Sequence, residues 1–356
     1  MAASLEATSS PSASLLAASA AGDVAGVVAA LDAGAPAHAQ DEATGTSALM
    51  AAAGAGHADV VALLLERGAP WNALDRDQKC AGEYAMAAQS QPCVDALVAA
   101  GVRAQLLFGI LEDGGAVAGA TTEDRDAATY LATPAAFDAA GETLLDASGD
   151  AVMMEWERPL MAAHADVLLG RFPDPGCQHL LERTDLRVLN VGHGLGIVDS
   201  YIQRGADRLS KHAICEPHPD VLKRMGAWRR KPRVDVRAET WQQALEDPNF
   251  GPFDGIFFDT YAETYADMRA FFGALPRLLA PGGVFSYFNG VAPFNPFFHG
   301  VACEFIKTEL AKLGLETTFV PLQVDQIQHD TWDGVKRRYW QFDCYHLPIA
   351  ARKTAG

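Results

Sequence analysis

The sequence is short of positive charge. Its 356 residues include 28 lysines and arginines against 45 aspartates and glutamates, a formal net charge of -17 at pH 7. Binding along a phosphate backbone needs a concentrated Lys and Arg surface, so we expect no nucleic-acid partner. An acidic protein suits a cationic partner better, although net negative charge also serves simply to keep proteins soluble.

The sequence also lacks closely spaced cysteines and long apolar runs. A zinc site or a disulfide framework requires cysteines at short, regular spacings, and a membrane-spanning helix requires about 18 apolar residues with few charges. Neither pattern occurs, so we expect no bound metal, no membrane partner and a reducing compartment. The six scattered cysteines are Cys80, Cys93, Cys177, Cys215, Cys303 and Cys344.

No basic residue precedes Arg67. Signal peptides begin with positive charge and transit peptides are rich in arginine, so we expect no targeting segment. The expected location is the cytoplasm, with the nucleus as the alternative. Residues 1–13, which are rich in alanine and serine, are expected to form a disordered tail.

The first hundred residues repeat. Gly34, Gly68 and Gly101 are 34 and 33 residues apart, which is the period of a solenoid of helix pairs. The segment Gly-Thr-Ser-Ala-Leu-Met at residues 45–50 resembles the Thr-Pro-Leu-His turn of ankyrin repeats. The sequence therefore predicts an all-α, ankyrin-like domain over residues 14–103, followed by a linker over residues 104–125.

Residues 186–196 predict a nucleotide-binding turn. A short apolar run ends in Gly192, Gly194 and Gly196, a pattern typical of a buried strand that turns into a helix and leaves its backbone open to a ligand. The dinucleotide fingerprint is Gly-x-Gly-x-x-Gly, so the shorter spacing favours a cofactor with a ribose but no pyrophosphate, such as S-adenosylmethionine. The alternative is a tight connection that binds nothing.

Two more apolar runs end in acids. Residues 213–215 are followed by Glu216, at the position where doubly wound folds place the acid that binds ribose hydroxyls. Residues 253–258 are followed by Asp259, and ligands of parallel sheets sit beyond the carboxyl ends of the strands. We therefore expect both acids to face a cofactor cleft.

The alternation of strand and helix patterns predicts an α/β, doubly wound sheet within a domain that spans residues 126–352. Short helices are expected to lead into this domain from residue 126. The apolar runs at residues 317–320 and 339–342 are expected to form an antiparallel edge pair.

A helix is predicted over residues 151–165, where the methionines and leucines have the spacing of a packed face. Glu155 and Glu157 fall in its first turn, where acids offset the helix dipole, and the spacing does not choose between them. Trp241 follows the short strand at residues 234–236. It either stacks on a purine or packs in the core.

Taken together, the second half resembles the class I S-adenosylmethionine-dependent methyltransferases, which have a Rossmann-like fold. The motifs at residues 152–157, 188–196, 215–218, 253–261 and 279–284 occur in the order of the guanidinoacetate methyltransferase group. With ankyrin-like repeats ahead of them, the chain resembles the fungal and plant protein arginine N-methyltransferase 2 family. At His193 and Leu195 that family more often has Phe and Met.

The resemblance implies a role for each candidate residue. Glu157 and Asp259 would hold the guanidinium of the substrate, with Asp259 accepting its proton, and Glu216 would bind the ribose of S-adenosylmethionine. Tyr130 would cap the cofactor, and Thr240 and Trp241 would lie near its adenine. The other implied cofactor residues are Met153, Met161, Gly192, His193, Gly194, Leu195, Gly196, Ile197, Val198, Pro217, His218 and Asp259 itself.

The resemblance also implies a reaction, in which one methyl group passes from S-adenosylmethionine to the δ nitrogen of an arginine in a protein, with a ribosomal protein as the substrate in the family. One alternative is a methyltransferase for small guanidino compounds. Another is an ankyrin scaffold that retains the cofactor without turnover, although the presence of both Glu157 and Asp259 speaks against it. The repeats either dock the protein substrate or only stabilise the enzyme, since a fold alone does not decide this.

Overall fold

The computed structural model describes residues 10–111 and 126–352. The chain divides into two compact units. One comprises the described residues up to 111 together with Asn295–Phe305, and the other comprises the remaining described residues.

The N-terminal unit is built from helices that pack in consecutive pairs. The helices are α1 (Pro11–Ala21), α2 (Val24–Asp32), α3 (Ala48–Gly54), α4 (Ala58–Glu66), α5 (Ala81–Ala87) and α6 (Gln91–Leu111). Small residues such as Ala48, Ala52 and Ala53 are buried between them, which lets the helices approach closely. The all-α, repeated architecture expected for this part of the chain is confirmed.

Two expected boundaries in this unit differ from the structure. Helix α1 begins at Pro11 because the Ser10 hydroxyl accepts a hydrogen bond from the Ala13 N–H (3.2 Å) and proline suits a first helical position, so residues 11–13 are helical rather than tail. Helix α6 continues to Leu111, past the expected start of the linker at residue 104, because strong helix formers follow that position. The rest of the expected tail and linker, residues 1–9 and 112–125, lies outside the described residues.

A small antiparallel sheet opens the second unit, after helix α7 (Ala127–Ala132). Its strands are β1 (Ala136–Phe137), β2 (Thr143–Leu145) and β3 (Ala151–Met154). Of the short helices expected here, only α7 forms, and the helix expected over residues 151–165 begins later. Strand β2 is available as a partner for β3, and Pro159 fits the first turn of helix α8 (Arg158–Leu168), so the helix starts there.

The second unit centres on a seven-stranded sheet with the order β6-β5-β4-β7-β8-β10-β9. Strands β4 to β8 are parallel, and β10 is antiparallel to both of its neighbours. This is the predicted α/β class with an antiparallel edge. The strands are β4 (Leu186–Val191), β5 (Leu209–Cys215), β6 (Val234–Arg237), β7 (Phe253–Phe258), β8 (Leu279–Tyr287), β9 (Leu315–Gln323) and β10 (Cys344–Arg352).

Helices connect these strands. They are α9 (Pro175–Gln178), α10 (Ile197–Ile202), α11 (Pro219–Arg224), α12 (Trp241–Ala244), α13 (Tyr265–Leu278) and α14 (Pro296–Lys312). Strand β7 is buried along its whole length, as expected for a central strand covered on both faces.

The expected edge pair is half right. Residues 317–320 lie in β9, but the partner of β9 is β10, and residues 339–342 belong to the loop before it. The apolar character of that loop has another cause, because the rings of Tyr339 and Trp340 pack against Trp156 at centroid distances of 5.7 and 6.4 Å.

The first turns of α14 pack within the repeat unit. The ring of Phe297 lies over Gly82, where an added Cβ would come within 2.0 Å of it, and Val301 lies over Gly101 in the same manner at 2.8 Å. Asn295 donates a hydrogen bond from Nδ2 to Glu83 Oε2 (2.8 Å). The repeats are therefore completed by a segment from the second half of the sequence.

Within residues 10–111 and 126–352, no helix is long and apolar enough to cross a membrane. The same residues contain no group of three or more His, Cys, Asp or Glu side chains placed to hold a metal ion. All six cysteines are unpaired thiols.

Candidate active site

A cavity of about 290 Å³ lies at the carboxyl ends of strands β4, β5 and β7. Strands β5 and β6 extend the sheet to one side of β4, whereas β7 and β8 extend it to the other. The strand order therefore reverses beside β4, which is where open α/β sheets bind their ligands. Helix α7 contributes Tyr130 and Leu131 to the wall.

The cavity brings together nine of the sixteen residues that we expected at the cofactor. They are Tyr130, Met153, Gly192, Gly194, Glu216, Pro217, Thr240, Trp241 and Asp259. They come from α7, β3 and the loops after β4, β5, β6 and β7. The structure thus brings together, around a single cavity, candidate residues that follow four different strands.

The other seven expected cofactor residues do not line the cavity. Helices α8 and α10 turn the side chains of Met161, Ile197 and Val198 into the apolar core of the sheet, where they are at most 3% exposed and do not form the cavity wall. Leu195 packs its side chain against the same core. The remaining three, His193, Gly196 and His218, lie behind the wall and support it.

The backbone turn at residues 192–196, hereafter the glycine turn, has no room for side chains. An added Cβ on Gly192 would lie 1.8 Å from the backbone oxygen of Asp259, and one on Gly194 would lie 2.9 Å from Met153 Sδ. Both glycines also have positive φ angles, of 93° and 52°, which side-chain-bearing residues rarely adopt. The turn therefore presents bare backbone to the cavity, as the sequence predicted.

Behind the glycine turn, Asp199 collects three hydrogen bonds. Its Oδ2 lies 2.6 Å from His193 Nδ1 and accepts from Asn190 Nδ2 (2.8 Å), and its Oδ1 lies 2.8 Å from His212 Nε2. Burial opposes the charge of Asp199, but the hydrogen bonds and charges of the two histidines outweigh it and hold its pKa well below the ordinary value. Asn190 also donates to the Gly192 carbonyl (2.8 Å), so this buried group fixes the shape of the turn.

Glu216 joins the ends of β4 and β5. Its Oε2 accepts the backbone N–H of His193 (2.9 Å) and, at 3.4 Å, that of Gly194, and its Oε1 accepts the N–H of His218 (2.7 Å). A carboxylate offers about four acceptor positions, so Glu216 retains capacity for ligand hydroxyls at the cavity wall. The ribose-binding role expected for it stays a prediction.

His218 and Tyr261 hold Tyr130 over the cavity. The Tyr130 ring lies 4.5 Å from the His218 ring and 4.9 Å, edge-on, from the Tyr261 ring. Tyr261 in turn donates its hydroxyl proton to Asp146 Oδ2 (2.8 Å). We did not single out Tyr261 from the sequence, although its place two residues after Asp259 was a usable signal.

Trp241 serves both the core and the cavity. Its ring packs edge-on against Phe271 at 5.4 Å, and its Nε1 donates to Glu263 Oε1 (2.8 Å). Glu263 also accepts the Thr260 hydroxyl proton (2.6 Å) and lines the cavity. Glu263 was missed because a lone acid in a loop carries no pattern. Trp241 therefore packs in the core, as one of the two interpretations held, and its stacking on a purine stays a prediction.

Glu157 and Asp259 form an acid pair beside this cavity. Glu157 ends the 3₁₀ turn Glu155–Glu157, is 2% exposed, and accepts hydrogen bonds on Oε1 from the Met154 N–H (3.0 Å) and the Tyr339 hydroxyl. Asp259 follows β7, and its Oδ2 is buried without a hydrogen-bond partner among the described residues. Only Asp259 of the two lines the cavity itself.

The environment of the acid pair disfavours two negative charges. Burial raises the pKa of Glu157, and the neighbouring Asp259 charge raises it further. Burial also raises the pKa of Asp259. A cation between the two groups would remove this cost, because an opposite charge favours the ionised form. The pair is therefore suited to a planar cation with several donors, such as a guanidinium.

Tyr339 is a site residue that sequence reasoning missed. Its hydroxyl donates to Glu157 and accepts a hydrogen bond from Trp156 Nε1 (3.0 Å), and burial, followed by the Glu157 charge, raises its pKa well above the ordinary value. The residue lies more than 180 positions from Glu157 in sequence, in a loop that we expected to be a strand. No local pattern could have connected the two.

Comparison with known proteins agrees with this geometry. A family model described as guanidinoacetate N-methyltransferase matches residues 120–293, and a model of three ankyrin repeats matches residues 15–106.

The chain is also similar to several proteins named protein arginine N-methyltransferase 2. The one from Yarrowia lipolytica is 37% identical over 228 residues, which are 62% of this chain and 46% of that protein. The one from Cryptococcus neoformans is 36% identical over 59% of this chain and 62% of that protein, and the one from Saccharomyces cerevisiae is 34% identical over 56% and 47%. The chain thus spans about half the length of most of these relatives. It therefore contains ankyrin repeats ahead of a domain of the guanidinoacetate N-methyltransferase type, and over about 60% of its length it is similar to protein arginine N-methyltransferase 2.

Proposed function

We propose that the chain transfers a methyl group from S-adenosylmethionine to a guanidino nitrogen of an arginine in a protein substrate. The observation that carries this proposal is the acid pair, two carboxyls with raised pKa values next to a cavity with a bare backbone turn and a carboxylate suited to ribose. The names of the similar proteins support the choice of arginine in a protein.

In this proposal the glycine turn and Glu216 hold the cofactor. S-adenosylmethionine supplies an electrophilic methyl group on a sulfonium, and its transfer is an in-line displacement that depends mainly on positioning. The chain provides that positioning through a direct hydrogen bond between the end of β4 and Asp259. The Asp259 N–H donates to the Val191 carbonyl (2.9 Å), immediately before the turn, so the acid and the turn keep a fixed relation.

Asp259 is the better proton acceptor of the two acids. An arginine is protonated at ordinary pH, and the nitrogen that receives the methyl group must lose a proton. Glu157 Oε1 already accepts two hydrogen bonds, whereas Asp259 Oδ2 accepts none among the described residues. A raised pKa brings a carboxylate closer to the strength that general-base catalysis needs. Glu157, held by Tyr339, then orients the guanidinium.

We further propose that the δ nitrogen is methylated once and that a ribosomal protein is the substrate. A guanidinium whose two terminal amino groups are held by Glu157 presents its internal N–H to Asp259, which can accept that proton, and this arrangement supports the δ position. The ribosomal substrate rests on the family resemblance alone. We place the activity in the cytoplasm, with the nucleus as the alternative compartment.

One experiment separates this proposal from its two competitors. The purified full chain is incubated with S-adenosylmethionine labelled in the methyl group, against a cell protein extract and, separately, against guanidinoacetate. Label in protein that yields δ-monomethylarginine after acid hydrolysis supports the proposal. Label in guanidinoacetate alone indicates the small-molecule enzyme, and cofactor binding without any transfer indicates a scaffold. The Asp259→Asn variant, run in parallel, controls for contaminating enzymes.

We also propose that the ankyrin repeats dock the protein substrate. Deleting residues 1–103 is a poor test, because it would leave Phe297 and Val301 without the repeat residues that cover them. The charge-reversing variants Glu42→Lys and Asp77→Lys alter exposed hairpin tips without touching that packing. Docking there predicts a raised KM for the protein substrate with unchanged cofactor affinity. An unchanged KM would mean that these tips do not dock the substrate.

A further inference from the structure

A short segment of this acidic chain carries a dense run of positive charge. Residues 223–233, here called the basic segment, contain six lysines and arginines and no acid, in a chain whose net charge is -17. The six cations are Lys223, Arg224, Arg229, Arg230, Lys231 and Arg233. We expected no nucleic-acid partner because the net charge of the whole chain is negative. That total does not reveal a local cluster of positive charge.

The fold displays these cations on compact turns. The segment runs from the end of α11 into the 3₁₀ turn Trp228–Arg230. Backbone hydrogen bonds tighten it, from the Arg229 N–H to the Met225 carbonyl (3.2 Å) and from the Lys231 N–H to the Trp228 carbonyl (3.0 Å). Helical turns advance only about 1.5 to 2 Å per residue, so the charges lie close together.

Trp228 anchors the segment to the fold. Its ring packs edge-on against the His193 ring at 5.2 Å, and the Lys231 ammonium lies 3.9 Å from the centre of the same ring. Met225, at the start of the turn, is fully buried. The basic segment is therefore a fixed surface rather than a loose arm.

Several of its cations have no acid to neutralise them. Lys223 is paired with Asp220 (2.6 Å) and Arg224 stacks on Phe137. Arg229 and Arg230 are exposed and form no ion pair with any residue of the described chain. With Lys231 and Arg233, which donates only to the Ala206 carbonyl, they leave about four cations for a partner.

The surroundings of these cations favour a nucleic acid over other anionic partners. Stable protein interfaces usually have apolar or aromatic anchors, and stable attachment to a membrane combines a basic surface with residues that insert. None of the large apolar side chains exposed in the described structure lies in the basic segment; they are Val24, Leu74, Met86, Leu107, Leu181 and Phe294. A phosphate backbone needs cations alone.

We propose that Arg229, Arg230, Lys231 and Arg233 bind the phosphate backbone of a nucleic acid without sequence preference. With about four phosphate contacts, the logarithm of the affinity for a single strand should fall with the logarithm of salt concentration at a slope of about -3. This inference is independent of the proposed function, since neither the acid pair nor the cavity contributes to it.

The test uses fluorescence anisotropy with a labelled single-stranded oligouridylate of 20 nucleotides and the full chain, between 50 and 200 mM salt. The double variant Arg229→Glu, Arg230→Glu should bind about tenfold or more weakly, with a slope near -1.5. The matched control Arg67→Glu, Lys312→Glu reverses two exposed cations elsewhere, each in a surface ion pair of little energetic weight, and should bind like the wild type. Equal circular dichroism spectra and equal Tm values in all three proteins verify folding.

Four outcomes would overturn the proposal. They are absence of wild-type binding at 50 mM salt, affinity that does not depend on salt, equal loss in the control variant, and equal or tighter binding of polyglutamate or of vesicles that contain phosphatidylserine. The last result would assign the surface to an acidic protein or to a membrane.

Discussion

The repeat unit and the second unit each contain a buried aspartate, and the pKa values of these two aspartates are shifted in opposite directions. Asp75 in the repeats is 5% exposed and accepts hydrogen bonds from the Tyr84 hydroxyl (2.7 Å) and from the N–H groups of Asp77 and Lys79 (2.9 Å each). Burial alone would raise its pKa, but these donors outweigh it and lower the pKa. Asp259 has a raised pKa and a buried oxygen without a donor.

The difference separates a structural carboxylate from a functional one. A buried acid that only holds a loop is stable when every oxygen is satisfied. An acid that must receive a ligand's donors cannot be satisfied beforehand, so its ionised form carries a cost until the ligand arrives. The acid pair bears that cost, and Asp75 does not.

Removing the charges of the acid pair should have the largest effect on the methyl-transfer step itself. Glu157→Gln and Asp259→Asn keep the shape of each side chain but lose a charge-assisted hydrogen bond to the guanidinium. That loss is worth about 1.5 to 3 kcal/mol, or roughly ten- to more than a hundredfold in the transfer rate. Single-turnover transfer from labelled S-adenosylmethionine measures it.

The two losses should not add, because both acids bind one group. Cofactor affinity, measured by calorimetry, should stay close to the wild-type value in each variant. The matched control is Asp75→Asn, which changes the same chemistry in the repeats and should leave the transfer rate unchanged. Full activity in both acid-pair variants would mean that these residues are only structural.

The two units also differ in how much space surrounds their glycines of positive φ. Gly68 in the repeats has a φ of 84° with no atom within 4 Å of an added Cβ, whereas the Cβ of an alanine at Gly192 would meet the Asp259 oxygen at 1.8 Å. Gly192→Ala or a bulky residue at Gly194 should therefore abolish cofactor binding, and Glu216→Ala should weaken it on the order of a hundredfold by removing the ribose acceptor. Gly68→Ala should leave cofactor affinity intact and cost only about 1 kcal/mol of stability.

Calorimetry with S-adenosylmethionine measures this set of variants. Asp199→Asn belongs in it, because Asp199 acts on the cofactor only through His193 and Asn190 behind the turn. It should weaken cofactor binding less than Glu216→Ala does. Wild-type affinity in the Gly194 and Glu216 variants would refute the assignment of the cofactor site.

The sequence predicted the parts of this molecule that follow from local pattern. The glycine period gave the repeats, and the strands that end in Gly192, Glu216 and Asp259 gave the sheet and one wall of the cavity, because parallel strands bring their carboxyl ends to a common edge. The small sheet of β1, β2 and β3 was missed, since its short strands depend on partners rather than on period.

The remaining site residues depend on tertiary packing, which sequence spacing does not reveal. Tyr339 reaches Glu157 from a distant loop, and Glu263 is placed by Trp241 and Thr260. Met161 is the opposite case. It follows Glu157 closely in the sequence, but helix α8 turns its side chain toward the core. The spacing alone did not show which face of this helix would pack inward.

In the repeats, removing a satisfied acid should cost stability. Asp75→Ala leaves the N–H groups of Asp77 and Lys79 and the Tyr84 hydroxyl without their acceptor, at a cost of about 1 to 3 kcal/mol. Asp75→Asn keeps one acceptor oxygen and should cost less. Hydrogen exchange measured by mass spectrometry should show faster exchange confined to the repeat helices in the alanine variant. Equal protection in wild type and Asp75→Ala would show that these hydrogen bonds carry little of the repeat's stability.

The smallest effect that we expect is a dependence of stability on pH with opposite sign in the two regions. The folded pKa of Glu157 is raised, so the folded state holds its proton more tightly than the unfolded chain does, and stability is lost as pH rises through that pKa. Glu157→Gln removes this loss. Without ligand, this variant should raise Tm at pH 9 by roughly 2 to 4 °C, for about 1 kcal/mol of stability, and should change Tm little at pH 5.

Asp75 has a lowered pKa, so its contribution to stability is present above the unfolded pKa and is lost in acid. Asp75→Asn should therefore give no gain in Tm at pH 9. Differential scanning fluorimetry at the two pH values measures both variants. A lower Tm for Glu157→Gln at pH 9 would show that the Glu157 charge is already compensated in the free protein, and the contrast between the two acids would then fail.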